Sequence, residues 1–191
     1  MGEARTDDVT VTGWALAAGA GDHAALTAFI RATQRDVYRF LAHLSGPRGA
    51  EDLAQETYLR ALRSLPRFAG RSSARTWLLA IARRVAADQV RSAQARPRTI
   101  PVEDWESVPH PRPGPMRAGL DERIALQDLL FGLDPDRRDA FVLTQVLDLT
   151  YAEAAEICGC PVGTIRSRVA RAREDLVLSL AGHTRDEVAG G

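Results

Sequence analysis

The sequence predicts an all-α protein with two small helical domains joined by a proline-rich linker, the second a four-helix domain with a helix-turn-helix. Three observations predict it. Apolar residues recur at helical spacing along most of the 191 residues, with no strand alternation and no repeat period. Pro97, Pro101, Pro109, Pro111, Pro113 and Pro115 crowd one central stretch, which therefore cannot be helix interior. Near the C-terminus two short amphipathic segments meet at Gly159, Cys160 and Pro161, residues that end one helix and begin the next.

Taken in order, the first helix is expected from about Asp22 to Leu44, where Leu26, Ile30, Val37, Leu41 and Leu44 make one stripe. A second runs from about Ala50 to Leu65 on Ala54, Tyr58, Ala61, Leu62 and Leu65, and a third from about Ser73 to Ala95 on Trp77, Ile81 and Val85. These fill a first domain over residues 15–95. The linker covers 96–119. A second domain over 120–181 begins with helices from about Leu120 to Phe131 and from about Pro135 to Leu147, the latter with Asp134 as N-cap and Pro135 in the first turn.

The last two helices carry the clearest chemistry. Thr150 and Glu153 have capping-box spacing, so a helix starts near Tyr151, kept slim by Ala154, Ala155 and Ile157. Gly159 suits the left-handed residue that ends it, Cys160 sits where the next N-cap belongs, and Pro161 suits the first helical position. On that next helix Ile165, Val169, Ala172 and Leu176 form the packed stripe. Gly163, Thr164, Ser167, Ala170 and Arg171 fall opposite, with Arg166 and Arg173 on one edge and Arg168 on the other. A small, hydroxylated, cationic face is what a recognition helix needs to enter a major groove and bond guanine edges or phosphates. An ordinary solvated charged face has the same composition.

Charge narrows the partners. The formal net charge is +0, so attraction to nucleic acid must come from uneven distribution. Arg71, Arg75, Arg83, Arg84, Arg91, Arg96 and Arg98 are opposed only by Asp88, and Glu103, Asp104 and Glu106 follow them. Arg84, Asp88 and Arg91 have the spacing of an ion-pair ladder on one helix face, while the remaining arginines form a phosphate-attracting excess. The loop FAGRSSARTW, from Phe68 to Trp77, mixes Arg71, Ser72, Ser73, Arg75 and Trp77, and arginine planes and aromatic rings stack on unpaired bases.

Other classes are excluded or left as rivals. His23, His43, His110 and His183 lie in separate segments with no triad or metal spacing, so no catalytic residue, metal or cofactor is expected. Cys158 and Cys160 make neither a disulfide framework nor a zinc site and read as reduced structural thiols, with a thiol switch at the turn as the alternative. No apolar run is long enough to span a membrane, and MGEARTDDVTVTG has the wrong charge order for a signal peptide, so a cytoplasmic protein is expected. The tail AGHTRDEVAGG is short and polar, with no further domain expected. A stand-alone helix-turn-helix regulator would use the same Cys160–Arg173 segment.

EDLAQETYLRAL from Glu51, TWLLAIARRVAADQVR from Thr76 and YAEAAEICGCPVGTIRSRVARAREDL from Tyr151, in that order, resemble the extracytoplasmic-function (ECF) sigma factors, over most of the chain from about Asp22 to Leu180. The resemblance implies a promoter-specificity subunit of bacterial RNA polymerase. Its first domain would bind core polymerase and the minus-ten element, its second the minus-thirty-five element, and an anti-sigma factor would clamp both. It places Asp52, Gln55 and Glu56 against a basic coiled coil of the polymerase. The loop from Ala69 to Thr76 would capture bases, and Arg83, Arg84 and Arg91 would face DNA. Arg166, Ser167 and Arg171 would read bases and backbone, with Thr164 and Arg168 on phosphates. Arg84 departs from the family's common asparagine, and Ala170 replaces a bulkier side chain of some relatives.

Overall fold

The computed structural model describes residues 6–95 and 127–189, and every element among them is helical. The expected linker at 96–119, the start of the helix at Leu120, Arg96, Arg98 and the acidic run at 103–106 lie outside the described residues.

Among the described residues, the first element is a helix that apolar periodicity did not predict. In α1 (Asp8–Gly19) Val9, Val11, Trp14, Ala15, Leu16, Ala17 and Ala18 are spread around the axis, so no stripe marks it. It forms because Asp7 caps it, accepting from the Thr10 N–H at 2.9 Å, and because Val11 and Ala15 are completely buried. The next two expected helices appear with shifted ends. In α2 (His23–Ser45) Asp22 is the N-cap, with bonds from Ala24 and Ala25 N–H groups, and α3 (Pro47–Ser64) starts after Gly46 turns at φ 81°. A 3₁₀ turn, Leu65–Arg67, and the loop 68–73 lead into α4 (Ala74–Ala95).

These four helices enclose Phe29, Val37, Phe40, Leu41, Leu78 and Leu79, none more than 1% exposed. Each such side chain stabilises the fold by about 1.5–3 kcal/mol. Gly19 lies so close to the 3₁₀ turn that a Cβ would sit 2.6 Å from the Leu65 carbonyl oxygen, which only glycine permits.

The second domain has the four expected helices: α5, described over 127–131, α6 (Pro135–Phe141), α7 (Tyr151–Cys158) and α8 (Val162–Ala189). The single helix expected from Pro135 to Leu147 instead widens at Val142–Val146 into π turns, with the Leu147 N–H bonding the Val142 carbonyl at 3.0 Å. Helix α8 begins one residue later than expected, at Val162, so the Pro161 carbonyl rather than Cys160 starts its ladder.

The two domains do not hang apart. Buried residues of the first, among them Leu78, Leu79 and Val85, are continuous with Val142, Leu143, Ala154, Ile157 and Ile165 of the second. Helix α4 packs across α7. At the edges the Arg39 guanidinium donates to the Val146 carbonyl at 3.1 Å, the Gln127 amide to Ala42 at 2.8 Å, and Arg138 to Leu44 at 3.3 Å.

Candidate nucleic-acid and polymerase surfaces

The helix-turn-helix is built as its sequence dictates. Thr150 Oγ1 accepts from the Glu153 N–H at 3.2 Å, and the Glu153 carboxylate accepts from the Thr150 N–H at 2.8 Å, which satisfies both donors at the start of α7. Gly159 takes φ 65° and ends it. On α8 Ile165, Val169 and Ala172 are buried, and Leu176 packs against Leu130 and Leu133. That contact leaves Arg166, Ser167, Ala170 and Arg171 exposed on the opposite face, with Thr164 half-buried at its start.

Arg168 is displaced from this face. Its guanidinium pairs with Asp136 of α6 and also reaches Cys160 Sγ at 3.6 Å, so it is not a free phosphate ligand in this arrangement. Arg173 donates to the Gln145 side chain at 2.7 Å.

Around α4 the structure corrects several expectations. Arg75 is only 2% exposed; it pairs with Asp8 of α1 and, at 2.8 Å, with Asp36 of α2, so it is a strut of the first domain and not a DNA ligand. Ser73 is the N-cap of α4, accepting from the Thr76 N–H at 3.1 Å and donating to the Thr76 hydroxyl at 2.9 Å. Trp77 is half-buried against Phe68, with ring centroids 4.8 Å apart. Arg71 is exposed and Ser72 half-buried. The expected Arg84–Asp88–Arg91 ladder is also different: Asp88 pairs with Arg91 and with Arg60 of α3, the latter at 2.6 Å. Arg84 stays exposed with no ion pair among the described residues.

Arg83 points into the junction between the domains. Its Nε meets Asp139 at 2.6 Å and a terminal nitrogen meets Asp136 at 3.0 Å. Asp136 thus holds two arginines that the sequence reading assigned to DNA, Arg83 from one domain and Arg168 from the other. Burial pushes the Asp139 carboxyl above the ordinary carboxylate range, and the Arg83 charge opposes that push.

On the outer face of the first domain Asp52 and Gln55 are exposed, and Glu56 is half-buried, held at 2.7 Å by Arg60. Beside Gln55 runs an open groove of about 780 Å³ between α2 and α3, lined by Ile30, Tyr38, Gln55, Tyr58, Leu59 and Leu62, whereas Asp52 and Glu56 line a separate cleft with Val85 and Asp88 of α4. Sequence periodicity put Leu62 in the core; it is 39% exposed and lines this groove instead.

Comparison with known proteins decides what these surfaces belong to. Residues 29–96 match the family model Sigma-70 region 2, and residues 123–176 match Sigma-70, region 4. The ECF RNA polymerase sigma factor SigC of Mycobacterium tuberculosis is 50% identical over 189 residues, which is 97% of each chain. The chain belongs to the ECF sigma factors. SigE of Mycolicibacterium smegmatis is 35% identical over 182 residues, 92% of this chain and 70% of that one. The Bartonella quintana sigma factor RpoE, solved with the anti-sigma factor NepR, has 29% identity and a TM-score of 0.67, covering 82% of this chain and 96% of that one.

This ECF sigma factor is an alternative sigma factor, binding core RNA polymerase and recognising promoter DNA. No described helix is long and apolar enough to cross a membrane. Two structural features escaped sequence reasoning. The groove beside Gln55 was signalled only by Leu59, an apolar residue off the expected stripe, and α1 only by the Asp7 cap. Cys158 lies near the Arg83 and Asp139 pair, and burial pushes its thiol up to about 12, a direction that opposes the reactive thiolate.

Proposed function

We propose that this sigma factor grips core polymerase through Asp52, Gln55 and Glu56, reads the minus-ten element with the loop from Ala69 to Ser73 and the outer face of α4, and reads the minus-thirty-five element with α8. Arg71, Ser72, Trp77, Arg84 and Arg91 serve the first element. Arg166, Ser167 and Arg171 serve the second, with Thr164 on phosphate. The observation that carries the reading is α8 itself: Ile165, Val169 and Ala172 are buried, so the exposed side presents two arginines and a serine behind a capped turn. Residues 15–95 and 120–181 then divide the work, with 96–119 as the connecting segment.

Arg83 and Arg168 join the DNA surface only when Asp136 and Asp139 release them. The closed arrangement is therefore the polymerase-free form, and docking on polymerase separates the domains. The sigma factor performs no catalysis, needs no cofactor, and acts in the cytoplasm where the polymerase is. An anti-sigma partner is part of the reading, supported by the Bartonella quintana relative captured with NepR.

Run-off transcription with core polymerase over a promoter library tests this. Substituting Asp52, Gln55 and Glu56 together by alanine should abolish core binding. Arg166→Ala should weaken upstream recognition by about 1–3 kcal/mol while leaving core binding intact. Normal transcription by both variants would overturn the assignment.

A further inference from the structure

Helix α1 lies outside residues 29–96, which match the region 2 family model, yet it is hydrogen-bonded to the start of α4 and lies beside Gly70 in the loop before it. The Thr12 hydroxyl donates to the Asp8 carbonyl at 2.6 Å and accepts from the Ala74 N–H at 3.0 Å, the first N–H of α4. A helix leaves its first N–H groups unsatisfied, and here a residue 62 positions away satisfies one of them. At the other end of the loop Gly70 takes φ 64°, and a Cβ there would lie 3.5 Å from a Leu16 methyl, so the turn rests on α1. Arg75, one residue into α4, is clamped between Asp8 and Asp36.

Gly70 on one side and Ala74 and Arg75 on the other are therefore set by α1, and Ser73 is spent as the cap. Arg71 and Ser72 remain between two fixed points. A loop that must receive an unstacked base gains affinity and selectivity by being held in its receiving shape beforehand, because no ordering cost falls on the binding step.

We propose that Thr12 and Asp8 of α1 are positioning residues for base capture by the loop at 69–73. Thr12 acts through the α4 N-terminus and Asp8 through Arg75, and neither touches DNA. The inference rests on the reading above that this loop captures a minus-ten base.

The test uses holoenzyme reconstituted with core polymerase and fork-junction promoters whose unpaired minus-ten bases are varied one at a time. The readout is the affinity ratio between the best and worst base. A merely structural role lowers binding to all bases alike and leaves that ratio unchanged. Thr12→Val keeps the side-chain shape and removes the acceptor; it should cut the ratio about fivefold, the size of one lost cap bond, whereas Thr12→Ser should stay within about twofold of wild type. Core binding and upstream duplex binding should not change. If Thr12→Val gives no folded protein, Asp8→Asn, acting through Arg75, takes its place with the same readout. Arg71→Ala separates the two ideas. Loss of the ratio in Arg71→Ala with the ratio kept in Thr12→Val overturns the inference alone. A wild-type protein with no base preference overturns the loop reading and the inference with it.

Discussion

Arg75 and Arg166 carry the same side chain under different constraints. Arg75 is enclosed by Asp8 and Asp36, and removing it leaves two partly buried carboxylates, 34% and 16% exposed, without its charge. Arg75→Ala should therefore cost about 3–5 kcal/mol of stability, seen as a lower urea midpoint. An unchanged midpoint would mean the pair is idle. Arg166 is exposed, so its substitution should leave that midpoint nearly alone and act on DNA instead. Arg83 and Arg168 stand between these cases, being partly exposed at 25% and 22% and engaged with carboxylates that phosphates can replace.

At the scale of the element, caps and close approaches decide what forms. The capping box and Gly159 gave α7 its limits from local sequence because their bonds span three or four residues. Helix α1 shows the opposite case. Its apolar residues face in several directions, with Val11 and Ala15 buried against its neighbours but Val9 and Leu16 exposed, so no single face carries the pattern. Its contact with the 3₁₀ turn depends on Gly19. Gly19→Ala would drive a Cβ into the Leu65 carbonyl, and because both sides are backbone the clash must move α1. A loss of about 1–3 kcal/mol in thermal or urea unfolding is expected, along with faster amide hydrogen exchange in α1. Retained exchange protection would mean the turn, not the helix, gives way.

Across the whole molecule, Asp136 joins the domains by holding Arg83, while it also holds Arg168 within its own domain. Its side chain is 48% exposed, so each bond is partly screened and worth no more than about 1 kcal/mol. Asp136→Ala should loosen the closed arrangement without unfolding either domain. The expected outcome is a larger radius of gyration in small-angle scattering and stronger promoter-DNA binding by the sigma factor without polymerase, by a few-fold on that same scale. Unchanged scattering and DNA binding would show that the shared apolar core alone keeps the domains together.

The sequence by itself determined the all-helical class, the ends of α2, α3, α4 and α7 to within about three residues, the turn before α8, and the cationic face of Arg166, Ser167 and Arg171. Those follow from apolar period and capping, which act between residues a few positions apart. The family resemblance put Asp52, Gln55 and Glu56 on an exposed surface; Asp52 and Gln55 are exposed, and Glu56 is half-buried. What only the tertiary structure decided is which polar groups remain available. Arg75 meets Asp36 across 39 residues, Arg83 meets Asp139 across 56, and Arg39 reaches Val146 across 107. Contacts at such separations leave no local pattern, so a basic block legible as one DNA surface divides into a buried strut, a junction between domains and the few arginines that still face solvent.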